Sequence, residues 1–232
     1  MKTRFTLLLA VLISLFSCND ENEYTIILKE SGNLQVQLVQ DGTPISNETV
    51  YLVSGANTNN YYTSLEQYAL DYVDTDINGK VDFGEINAGG YFVTTKGVEV
   101  GDKMYYPTKI FQMVSGNNKN LTIDISDYTG TVKLTILDDD YYSGYPPLQG
   151  INVAIITRED YYKYNDTNDR LERALENKIT DSAGVVSFTL PSGTEYYAIA
   201  YGTNDYGNVS YRTTGLGYLE INEEYEGTMH FY

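Results

Sequence analysis

Residues 74–85 read Asp74-Thr75-Asp76-Ile77-Asn78-Gly79-Lys80-Val81-Asp82-Phe83-Gly84-Glu85 (DTDINGKVDFGE), and two structures compete for them. Every liganding position of the twelve-residue loop that holds calcium between two helices is filled. Asp74, Asp76, Asn78 and Asp82 offer oxygens, Gly79 permits the sharp turn and Glu85 closes the loop. The same residues also spell a β-hairpin turn, with Asp76 bonding its own backbone and Gly79 supplying a positive φ. A calcium loop needs a helix leaving near its ninth residue. Here the chain continues Phe83-Gly84-Glu85-Ile86-Asn87-Ala88-Gly89-Gly90, and three glycines in eight residues oppose that helix.

The stretch also recurs. Tyr68 to Phe83 aligns without a gap on Arg173 to Phe188, so Thr75-Asp76 and Gly79 fall on Thr180-Asp181 and Gly184. At the other positions the second copy has Ile179 for Asp74, Ala183 for Asn78 and Ser187 for Asp82. If both copies fold alike, calcium does not shape the turn, and the hairpin reading is preferred. Calcium held by Asp74, Asp76, Asn78 and Asp82 on a scaffold without helices stays as the alternative; no other cofactor is expected.

The similarity extends outward. Leu34 to Leu38 and Val132 to Ile136 both alternate apolar and polar residues, the period of a strand with one face buried. Each precedes a proline-bearing turn and a second strand, Thr49 to Val53 or Asn152 to Ile156. Each copy ends on a further strand, Leu121 to Ile125 or Thr228 to Tyr232. Short alternating strands with regular turn signals predict an all-β chain of two tandem antiparallel β-sandwiches. The expected divisions are a signal at 1–17, a tether at 18–29, and sandwiches at 30–127 and 128–232. Each sandwich carries a polar insertion after its second strand.

The unit T-D-x-x-G-x-V-x-F followed by a glycine turn and Y-x-V is carried by Thr75, Asp76, Gly79, Val81, Phe83 and Tyr91. It recurs at Thr180, Asp181, Gly184, Val186, Phe188 and Tyr196. It resembles the prealbumin-like repeats of carboxypeptidase regulatory-like and collagen-adhesin B-type domains. That resemblance implies an Ig-like scaffold and no chemistry. Relatives of that kind often carry a lysine-to-asparagine or aspartate amide bond. Lys133 lies in the corresponding first strand, but its neighbours Val132 and Leu134 put it on the water side, and no such bond is expected.

The chain opens MKTRFTLLLAVLISLFSC: Lys2 and Arg4, an apolar run from Phe5 to Phe16, then Ser17 and Cys18. About a dozen apolar residues fall short of the roughly 20 that a membrane-spanning helix needs, so the segment reads as a secretory signal. Leu15-Phe16-Ser17-Cys18 resembles the lipobox of bacterial lipoproteins, which implies lipidation of Cys18, the only cysteine. The acidic tether Asn19 to Glu23 is similar to the signal that sends lipoproteins of gut Gram-negative anaerobes to the outer face of the outer membrane. The expected location is therefore the outer membrane, lipid-anchored and surface-exposed.

A net charge of -17 makes nucleic acid and anionic lipid poor partners. Catalysis finds little material. His230 is the only histidine, and Cys18 the only thiol. Asp138-Asp139-Asp140 reads as a solvated loop. Candidate contacts instead sit in the insertions, at Tyr61-Tyr62 and Tyr161-Tyr162, where the rings either meet a ligand or cover the open edge of each sandwich. Asp169 to Lys178 has the look of a short helix capped by Asn168 or Asp169. The expected function is a non-enzymatic adhesion or ligand-binding module, with a glycan or protein partner. The alternative is a structural spacer or accessory fimbria-like subunit.

Overall fold

The structure, a computed structural model, describes residues 30–57, 64–203 and 209–231. The signal, Cys18, the tether and the Tyr61-Tyr62 pair lie outside the described residues. In the first half the strands are β1 (Ser31–Gln40), β2 (Thr43–Pro44), β3 (Thr49–Ser54), β4 (Asp71–Asp74), β5 (Lys80–Asn87), β6 (Gly89–Thr94), β7 (Val98–Val100), β8 (Lys103–Tyr105), β9 (Thr108–Met113) and β10 (Asn118–Asp124), with one short helix, α1 (Leu65–Tyr68). β1 alternates as its sequence predicts: Leu34, Val36 and Leu38 are buried and Gln35 is exposed. It pairs with β2, β5 and β10, and this sheet shares a core with a second sheet of order β4-β3-β6-β9.

In the second half β11 (Thr129–Asp138), β12 (Asn152–Thr157), β13 (Glu176–Ile179), β14 (Val185–Pro191), β15 (Thr194–Thr203), β16 (Val209–Leu219) and β17 (Glu224–Phe231) are joined by helices α2 (Arg158–Lys163) and α3 (Thr167–Glu172). The pairing scheme repeats: β11 lies between β14 and β17, opposite a sheet of order β13-β12-β15-β16. Val132, Leu134, Ile136 and Phe188 are fully buried in a separate core. The chain is therefore all-β and folds as two sandwiches. Among the described residues each has one parallel pair, β1 with β10 and β11 with β17. The last strand arrives from the opposing sheet and not through a hairpin on the first, so nothing obliges it to run antiparallel.

Residues 74–85 form a tight turn, but not a hairpin. β4 pairs with β3 in one sheet and β5 pairs with β1 in the other, so the turn is an arch that carries the chain across the sandwich. The local chemistry is as the sequence predicts. Asp76 accepts hydrogen bonds from the Asn78 and Lys80 amides at 2.8 Å, and Asp181 accepts from Ala183 and Val185 at 2.9 Å. Gly79 and Gly184 have φ of 69° and 71°. The threonine of the motif explains the crossing: Thr75 and Thr180 are buried, and their hydroxyls accept from the Glu48 and Ile151 amides. The hydroxyl thus satisfies a partly buried backbone amide where the chain leaves one sheet for the other, beside the backbone bonds that Thr75 makes to Asn47 and Glu48 and that Thr180 makes to Gly150 and Ile151.

Both second strands are buried on two faces. In β12, Val153 and Ile155 face the main core, whereas Ala154 and Ile156 point outward beneath α2 and α3. The helix expected over Asp169–Lys178 begins earlier, at Thr167, capped by Asp166, whose carboxylate accepts from the Asn168 amide. It ends at Glu172, and Glu176–Ile179 becomes a strand beside β12. A free edge on β12 competes for the chain and wins over weak helix propensity.

The junction between the sandwiches is short. A 3-10 turn, Ile125–Asp127, and Tyr128 separate β10 from β11. Tyr128 puts its ring in the first core, with its hydroxyl on the Thr108 carbonyl at 3.1 Å, while its own carbonyl accepts from the Ser192 amide at 2.9 Å.

Candidate functional site

The proposed calcium ligands do not converge. Asp74 lies on β4 and accepts from the Thr49 hydroxyl at 2.6 Å. Asp82 lies on β5, in the other sheet, where Gln35 and the Gly84 amide bond it. Asp76 faces its own turn, and the Asn78 carbonyl accepts from Gln37. Because the turn is an arch, its two arms diverge. Among the described residues no three histidine, cysteine, aspartate or glutamate side chains group to hold a metal. Hydrogen bonds from the Lys80 and Asn78 amides hold the Asp76 carboxyl below the usual aspartate value.

Lys133 is exposed, and its ammonium lies 2.9 Å from Glu226, the residue directly opposite on β17. It is a surface ion pair. His230 also faces outward, edge-on to Tyr145 with ring centroids 4.8 Å apart and its Nδ1 3.7 Å from Asp139.

The second insertion separates its two tyrosines. Tyr161 stacks on Tyr197 with centroids 4.0 Å apart and planes within 3°, and the Arg170 guanidinium lies 3.9 Å from the Tyr161 ring centre. Tyr161 therefore helps to seal the outer face of the β12–β15 sheet, a face and not the open edge that the sequence suggested. Tyr162 is 62% exposed and reaches the Tyr197 hydroxyl at 2.8 Å. That hydrogen bond is the main cause of the upward shift of the Tyr197 phenol.

A concavity lies elsewhere, at the junction of the sandwiches. A groove of about 500 Å³ runs between the β7–β8 hairpin and the second sandwich, within the range of ligand sites. Period two places its wall. In Lys103-Met104-Tyr105-Tyr106, Tyr105 is buried in the first core, so Met104 and Tyr106 turn outward, 39% and 42% exposed. Opposite stand Tyr218, 58% exposed, and the first turn of α2 with Arg158 and Glu159. Gly193 forms part of the lining at φ 84°; a methyl group there would sit 3.6 Å from both Tyr106 Cβ and the Tyr218 hydroxyl. Arg158 is paired with Glu195 at 2.8 Å, whereas Asp102 and Glu159 add negative charge. Sequence reading missed this site because Gly193 and Tyr218 lie far along the chain from Tyr106. The one local signal was Tyr105-Tyr106-Pro107.

No protein-family model matches the chain, and no curated protein matches it by sequence. Among solved structures it resembles the Bacillus anthracis TIE protein (17% identity, TM-score 0.39), over 87% of this chain and 34% of that one. It also resembles GBS52, the minor pilin of Streptococcus agalactiae (16% identity, TM-score 0.36), over 86% and 94% of the two chains. A leucine-rich repeat protein from Bacteroides thetaiotaomicron overlaps 87% of this chain and 26% of its own, at 14% identity and a TM-score of 0.25. The chain thus spans about a third of the first of these proteins. Superpositions this loose define neither a family nor a ligand.

Proposed function

We propose that the protein is an exported lipoprotein, anchored in the outer membrane through Cys18 and exposed at the cell surface, where it binds a ligand without catalysing a reaction. The junction groove carries this reading, because it combines exposed tyrosine rings with polar groups in a concavity of ligand-site size. The order of basic, apolar and small residues before Cys18 supports the anchor. Among the described residues no helix is long and apolar enough to cross a membrane. The non-catalytic reading rests on His230, which packs on Tyr145 away from the groove-lining residues.

Externally added protease should cut the protein on intact cells, and Cys18→Ser should release it from the membrane fraction. Adhesion by cells carrying Tyr106→Ala or Tyr218→Ala should fall. Protection until lysis would overturn surface display, and unchanged adhesion would overturn the groove's role.

A second reading, a spacer or accessory fimbria-like subunit, is favoured by the junction itself. Tyr128 ties both sandwiches with no flexible linker between β10 and β11. In that case the groove variants leave binding and assembly untouched, whereas lengthening the junction disturbs assembly.

A further inference from the structure

We propose that the junction groove is a carbohydrate site, taking a neutral oligosaccharide laid across Tyr106 and Tyr218; this rests on the binding reading above and names the ligand. Three observations decide the chemistry. The first is the pair of tyrosines that flank Gly193. Tyr106, through its Cβ, and Tyr218, through its hydroxyl, border the same glycine, which has no side chain to fill the space beside them, and both remain open to solvent. Tyrosine is a rigid amphipathic contact that loses little conformational entropy on binding. Its face offers an apolar platform to the C–H side of a sugar ring, and its hydroxyl remains available to the polar edge.

The second is charge. Asp102, Glu159, Asp160 and Glu195 line the groove with Arg158 as the cation, and the chain as a whole is strongly acidic. Polyanions, including uronate-rich and sulfated polymers, are repelled. The third is that donors and acceptors are both present. Arg158 donates, Asp102 and Glu159 accept, and Tyr218 does either. Sugar hydroxyls use both kinds. The side chains of a basic peptide use only the acceptors and meet Arg158 as a like charge, while those of an apolar peptide offer the carboxylates no partner.

The width of the groove is set independently of its ligand. Lys103 turns away from it and grips Glu176 and the Thr189 carbonyl on the second sandwich. Alternation along β8 therefore divides labour: Lys103 holds the wall and Met104 lines it.

The test applies the detergent-solubilised full chain to an array of neutral and uronate-containing oligosaccharides, with octalysine as a separate probe. Binding to neutral glycans is expected, weakened at least tenfold by Tyr106→Ala and by Tyr218→Ala and unchanged by Tyr142→Ala, which is 97% exposed and not among the lining residues. Neutral glycan binding that survives both groove variants overturns the site. Binding of uronates or octalysine instead, lost in the same variants, overturns the ligand class and leaves the binding reading standing. No binding to any probe, with cell adhesion unchanged in the variants, overturns both.

Discussion

Lys103 of the first sandwich and Glu176 of the second form an ion pair across the junction, and the Lys103 ammonium also donates to the Thr189 carbonyl at 3.2 Å. Both side chains are largely buried, 23% and 21% exposed. Burial alone would raise the Glu176 carboxyl, but hydrogen bonds from Lys103 and Lys178, with their charges, hold it below its ordinary value of 4.5. A depressed carboxylate contributes stability that is fully present above the unfolded value and is lost as pH falls through the folded one. Acidification below about 4.5 should therefore loosen the junction before the cores melt. The check is the distance distribution between one spin label on each sandwich. It should broaden at pH 3.5, and Lys103→Met should broaden it at neutral pH. A distribution that stays narrow in Lys103→Met would mean that Tyr128 alone fixes the geometry.

Gly79 and Gly84 both have positive φ, 69° and 64°, but only Gly79 is confined. A methyl group on Gly79 would lie 2.4 Å from the Leu38 carbonyl, whereas Gly84 has open space. Gly84→Ala should cost about 1 kcal/mol, the strain of a side chain at positive φ. Gly79→Ala adds an overlap with backbone that cannot swing aside, and should cost roughly 2 to 3 kcal/mol. Denaturant midpoints of the two variants should separate accordingly; equal shifts would mean that the arch can relax away from β1.

The arch also marks how much of the fold could be read in advance. Asp76, Gly79 and their counterparts were legible because turn chemistry is local: the carboxylate bonds amides two and four residues on. Whether the two arms pair with each other is not local. It depends on Thr75 finding Glu48, a contact the strand pattern does not encode. The direction of β10 beside β1 was hidden likewise, since alternation fixes the buried face and not the polarity of pairing. The groove needed Gly193 and Tyr218 brought to Tyr106, so its only sequence trace was an adjacent pair of tyrosines before Pro107.

Calcium should leave the protein unchanged. One oxygen of the Asp76 carboxylate already accepts two amides of its own turn, and Asp74 and Asp82 stand on strands of different sheets. Millimolar calcium should not shift the melting temperature, and a chelator should not lower it. Asp76→Ala should lower it with or without calcium, because the turn loses its acceptor, and Asp181→Ala should behave alike in the second sandwich. The folded Asp76 carboxyl sits below the ordinary value of 3.8, so its contribution is present above that pH and fades beneath it. A saturable calcium-dependent rise in melting temperature, abolished by Asp76→Ala alone, would contradict this.

Tyr161 and Tyr162 are neighbours in sequence with opposite duties, and substitution should separate them. Tyr161 lies between Tyr197 and Arg170, so Tyr161→Ala removes a stacked ring and a cation–π contact and exposes the surface above Ala154 and Ile156. For a half-buried ring that should cost roughly 1 to 3 kcal/mol. Tyr162 is mostly in solvent, and Tyr162→Phe removes little beyond its hydrogen bond to Tyr197. That bond has a spectroscopic signature. It is the principal cause of the raised Tyr197 phenol, so Tyr162→Phe should return the Tyr197 ionisation toward its ordinary value of 10. A pH titration of the Tyr197 side-chain carbon resonance by NMR reads this residue by residue. A Tyr197 transition that does not move would place the cause of its shift in burial instead. A Tyr161→Ala variant as stable as the parent would show that α2 and α3 seal the sheet without the ring.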